Sequence, residues 1–131
     1  MNYYLAFSMK HVPFDQAIER VEAALKAEGF GIISRIDIQD TLKKKINADF
    51  RPYMILGACN PVLAHEALLL EDKVGTMLPC NVIVQQTGPG DIEVAIVDPV
   101  ASMQAIDNAE LKKAAKAVRN KLALVIENLS G

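Results

Sequence analysis

Residues 81–97 read NVIVQQTGPGDIEVAIV. Two β-rich runs, Asn81 to Gln86 and Ile92 to Val97, flank the Gly-rich turn Thr87-Gly88-Pro89-Gly90-Asp91. Runs of that kind around so short a turn form a hairpin. The two strands must then be antiparallel, because a parallel return needs a crossover of a dozen or more residues. Any sheet this chain builds has to accommodate that pair.

The remaining elements are read outward from the hairpin. Tyr3 to Met9 is a short apolar run and reads as a strand. Pro13 opens a helix in which Phe14, Ala17, Ile18, Val21 and Leu25 form one apolar stripe. Gly29 suits a left-handed cap after it. Phe30 to Ile36 reads as a second strand, and Asp37 to Ile46 as a short helix. Tyr53 to Ala58 is continuously apolar, as a buried strand should be. Asn60 can cap a following helix through its side-chain oxygen, and Pro61 suits the first helical position, where its missing N–H is not needed. That helix should reach about Leu70, with Pro61, Ala64, Ala67 and Leu68 on one face, before a loop broken by Gly75 and Pro79. Val100 to Ile106 carries no clear period. Asp107 or Asn108 should cap a long last helix with Leu111, Ala115, Val118, Leu122, Val125 and Leu129 along one seam. That seam is short and contains Ala, which fits a helix laid across a sheet better than a free coiled coil. The expectation is one domain over residues 1–131: an α+β, two-layer fold with a mostly antiparallel sheet and the first and last helices on one face.

Composition narrows the function. Hydrophobic residues make up 51% of 131 residues, enough for a core without staples. Trp is absent and aromatics are 5%, so the core is aliphatic and an aromatic stacking platform for single-stranded nucleic acid is not expected. Net charge is −2, and the densest basic run, Lys43-Lys44-Lys45, reads as a solvated helix face. That is too small a footprint for nucleic-acid binding. No run of about 18 apolar residues is present, so no membrane span is expected. The N-terminus MNYYLAFSMKHVP does not resemble a secretory signal, and a cytoplasmic location is expected. In that compartment two cysteines are thiols rather than a structural disulfide.

Those cysteines sit in matched dipeptides, Cys59-Asn60 and Cys80-Asn81. Cys59 ends one strand and Cys80 begins the next. If the two strands are antiparallel neighbours, the Cys-Asn pairs should face each other at one sheet edge. Cys59 would also precede a helix start, whose unpaired N–H groups favour a thiolate. Against that stands the ordinary behaviour of free cysteine as a small buried hydrophobe. His11 and His65 have no zinc-ligand spacing relative to the cysteines, and both read as surface residues. Ser8, Ser34, Ser102 and Ser130 lie in no nucleophile-elbow context, and Gly88-Pro89-Gly90 is a turn and not a phosphate loop. No metal and no cofactor is expected.

The run RPYMILGACNPVLAHEALLLEDKVGTMLPCNVIV, with IVDP at 96–99 and RIDIQDTLKKKI at 35–46, resembles the bacterial and archaeal family called domain of unknown function 302. The resemblance spans about Tyr3 to Leu129. It implies a small α+β fold similar to the TATA-binding-protein-like class, and a homodimer. It implies no particular reaction. Three functions stay open, and whether the chain is an enzyme is open with them. The first is a small-ligand-binding module whose site is formed by Cys59, Asn60, Cys80 and Asn81. The second is a thiol or persulfide enzyme or sulfur carrier, with Cys59 as nucleophile and Cys80 as resolving thiol. The third is a purely structural homodimer.

Overall fold

The computed structural model describes residues 2–130. Its elements are β1 (Tyr4–Lys10), α1 (Phe14–Ala27), β2 (Gly31–Asp37), α2 (Ile38–Ile46), β3 (Tyr53–Cys59), α3 (Pro61–Leu70), a 3₁₀ segment (Asp72–Met77), β4 (Cys80–Gly88), β5 (Asp91–Val97), α4 (Pro99–Ser102) and α5 (Ala109–Ser130). The five strands form one sheet in the order β1-β5-β4-β3-β2. Every neighbouring pair is antiparallel. The α+β class read from the sequence is the class observed. The 3₁₀ segment fills what the sequence presents as a loop, and α4 occupies the start of the stretch left unassigned.

Strand alternation builds the larger core. Ile92, Val94 and Ile96 of β5, Val82 and Val84 of β4, and Leu56 and Ala58 of β3 are all buried on one face. Against them lie Ala17, Ile18, Val21 and Leu25 of α1 and Leu122 and Val125 of α5. Each large aliphatic side chain buried in this way contributes about 1.5–3 kcal/mol. The first and last helices therefore share one face, side by side. On the opposite face one apolar row crosses all five strands in register: Ala6, Ala95, Ile83, Ile55 and Ile36.

A second, smaller core lies beyond one end of the sheet. Ala67, Val74, Met103, Leu111 and Ala115 pack together there, drawn from α3, the 3₁₀ segment, the end of α4 and the first half of α5. Two side chains fasten this region. Asp98, only 7% exposed, accepts the Val100 N–H and so caps α4, and it accepts Arg119 Nε of α5 at 3.0 Å. Asn108 caps α5 by accepting the Leu111 N–H at 3.0 Å, and its amide donates to Leu70 O at 2.9 Å. One asparagine thus starts α5 and holds the end of α3.

Gly57 sets how closely the chain after the 3₁₀ segment returns to the sheet. A Cβ at Gly57 would overlap Ser34 Oγ of β2 and come within 2.8 Å of Pro79 Cγ. Only a residue without a side chain lets the Pro79 ring close over β3, immediately before β4 begins. Gly57→Ala should lower stability by about 1–3 kcal/mol, the usual cost of overpacking. Urea unfolding checks this, and an unchanged midpoint would show that Ser34 and Pro79 yield freely.

Candidate functional site

A cavity of about 330 Å³ opens between the end of the sheet and the smaller core. Its sheet side is Ala58 and Cys59 at the end of β3 and Cys80 at the start of β4. Leu63, Ala64, Ala67 and Leu68 of α3 form its roof, with Gly75 and Leu78 beside them. Leu111, Ala114, Ala115 and Val118 of α5 close the far wall. The void exists because facing positions carry small residues: Ala58 on the strand, Ala64 and Ala67 on α3, and Ala114 and Ala115 on α5. Side chains that end at Cβ cannot meet across the gap between these elements.

The local sequence places α3 over this space. Asn60 Oδ1 accepts the Leu63 N–H at 3.2 Å, and Pro61 takes the first helical position. Gly29, at φ +86°, lies against the other end of the same amide, so that a Cβ there would sit 3.0 Å from Asn60 Nδ2. The left-handed cap of α1 and the N-cap of α3 therefore pack directly on one another. The donors at the start of α3 are largely committed. Pro61 has none, Leu63 is capped by the side chain, and the Ala64 N–H bonds Asn60 O at 2.9 Å. Of the first-turn donors expected to favour a thiolate at Cys59, only Val62 is left free of these bonds.

The register corrects the expected meeting of the two Cys-Asn pairs. Strands β3 and β4 are antiparallel neighbours, but Cys80 pairs with Ala58, and Asn81 pairs with Gly57. Cys59 pairs with Gly31 of β2. The two dipeptides are offset by one residue and do not face each other. A one-residue offset in a pleated sheet reverses the side on which a side chain leaves. Cys80 accordingly points into the core while Asn81 is exposed on the other face and does not line the cavity. Cys59, half-buried, borders the cavity where β3 turns into α3. Both cysteines are free thiols. Of the four residues singled out in the sequence, Cys59, Asn60 and Cys80 border the cavity and Asn81 does not.

Sequence reasoning misses the α5 wall and Met103, because the periodicity of the last helix points only to a seam against the sheet. A signal is present in α3. The segment PVLAHEALLL is apolar apart from His65 and Glu66, more so than a helix with a single buried residue needs. His65 is exposed on it, as expected of a surface histidine.

Burial pushes the Cys80 thiol from 9.0 up to about 11, and the neighbouring Cys59 adds to the effect. The folded state thus holds the proton that the unfolded chain releases. Stability from this group is complete below about pH 9 and is lost as pH rises toward 11. A thiol displaced that far contributes roughly 2–3 kcal/mol at most. The stability advantage of the wild type over Cys80→Ala should therefore shrink between pH 8.5 and 11 in paired urea titrations, by about that amount. A constant difference across the range would show that the thiol is not held protonated.

A comparison with solved structures finds the crystal structure of an uncharacterized conserved protein DUF302 from Bacillus stearothermophilus. It is 28% identical, covers 97% of this chain and 98% of its own, and superposes with a TM-score of 0.88. No curated protein matches the chain. The sequence profile of the domain of unknown function DUF302 matches residues 5–129, and with nearly its whole length inside that match the chain belongs to the DUF302 family.

Proposed function

We propose that the protein is a small-ligand-binding module whose site is the cavity between the sheet end, α3 and α5. The observation that supports this most is the cavity itself: about 330 Å³, lined almost wholly by apolar side chains and bordered by Cys59, Asn60 and Cys80. That volume falls at the lower end of small-molecule pockets. The space is open on one side and walled by apolar side chains, so a bound molecule would take apolar surface out of water.

The thiol-enzyme alternative needs Cys80 to ionise as a resolving thiol. A thiol raised to about 11 attacks poorly at neutral pH, which favours the binding reading. The two thiols then serve as soft, polarisable lining.

The binding reading is tested by titration with the fluorescent apolar probe N-phenyl-1-naphthylamine. Wild type should bind it saturably, with one site per chain. Ala114→Phe places a ring into the cavity from a half-buried position, and should weaken binding by at least about tenfold, or 1.4 kcal/mol, while far-UV circular dichroism stays unchanged. Equal binding by both proteins would place the probe elsewhere and remove the proposal.

The homodimer is proposed on a separate observation. The row Ala6, Ala95, Ile83, Ile55 and Ile36 gives the sheet face opposite α1 and α5 an apolar band that is half-buried to exposed in the single chain. Apolar patches of this kind mark interaction surfaces. Light scattering after size exclusion should give twice the chain mass for wild type and a monomer for Ile55→Glu. A wild-type monomer at high concentration would end this reading without touching the cavity.

A further inference from the structure

We infer that the cavity selects an uncharged, hydrocarbon-rich molecule and discriminates against an anion or a cation of the same length; this rests on the ligand-binding reading above. Among the described residues, no Asp, Glu, Lys, Arg or His lines the space. A charged group moved into it would lose its water and meet no counter-charge.

Few polar groups border the cavity. Asn60 is the one amide among its lining side chains. The oxygen of that amide accepts the Leu63 N–H, and its nitrogen lies against Gly29. The start of α3, the natural place for an anion, has its Leu63 and Ala64 donors bonded to Asn60 and a proline at its first position. Among the described residues no charged side chain and no second amide stands beside Asn60 on the cavity wall.

What the walls offer instead is aliphatic carbon, the ring of Phe30 and three sulfurs, those of Cys59, Cys80 and Met103. Thiol and thioether groups adapt to irregular apolar shapes without offering strong hydrogen bonds. At interior packing density a space of about 330 Å³ takes a molecule of roughly ten to eighteen non-hydrogen atoms, aromatic rings being the more compact. A medium-length alkyl chain or a compact terpene-like skeleton has that size, with any single polar group left at the open side.

Displacement of N-phenyl-1-naphthylamine from the full chain by 1-decanol, decanoate and decylammonium at neutral pH separates the possibilities. The three share a ten-carbon chain and differ in charge. Decanol should displace the probe at least about tenfold more effectively than either ion. A smaller ratio for either ion overturns the inference and leaves the ligand-binding reading standing. Displacement by decanol that is undiminished in a probe-binding Ala114→Phe protein places the alcohol outside the cavity and also overturns it. Failure of the probe to bind wild type at all removes the ligand-binding reading and this inference together.

Discussion

The register between β3 and β4 governs the site more than any single side chain. Gly57 admits the Pro79 ring against β3, and β4 then begins with Cys80 across from Ala58. From that start the pleat sends Cys80, Val82 and Val84 inward and Asn81 outward. A shift of one residue would exchange the two sets and place an amide where the cavity now has a thiol. The chemistry of the cavity wall is therefore a consequence of strand pairing, enforced by one close approach of backbone and proline ring.

The two cores divide the labour of the fold. The sheet, α1 and the second half of α5 enclose a layer of mainly aliphatic side chains, with Phe30 among them. The smaller cluster sits beyond the sheet end, where α3 contacts α5 and the 3₁₀ segment. Asn60 and Asn108 fasten α3 near its two ends. Asp98 and Arg119 bind the start of α4 to the middle of α5. A helix held at its ends above alanine-lined surfaces leaves space beneath it, and that space is the cavity.

Much of the architecture is legible from local rules. The Gly-rich turn between β4 and β5, the stripe of α1, the Asn60-Pro61 helix start and the Asn108 cap all depend on neighbours within a few residues, and each is observed. The expected facing of the Cys-Asn pairs fails because the two dipeptides do not begin their pairing at equivalent positions. Connection length gives the direction of β4 and β5, whereas the long connection between β3 and β4 also admits a parallel crossover; there the structure supplies both the direction and the offset, with Pro79 packed on Gly57, far apart in the chain. The thiolate-favouring helix start at Cys59 is weakened for a related reason: capping consumes the donors that a thiolate would have used.

The sequence by itself determined the order of the five strands and the four longer helices, the antiparallel pairing of the last two strands and the helix starts at Asn60 and Asn108, because propensity, capping and turn chemistry act over short separations. It also determined that the interior would be mainly aliphatic, since composition offers few aromatics, although Phe30 is fully buried in it. Only the tertiary structure decided that Ala58, Ala64, Ala67, Ala114 and Ala115 oppose one another across a void, and that Cys59, Asn60 and Cys80 border it while Asn81 does not. An alanine in isolation carries no sign of whether its neighbour across the core is large enough to reach it; that depends on the distance and angle between packed elements, which no local pattern encodes.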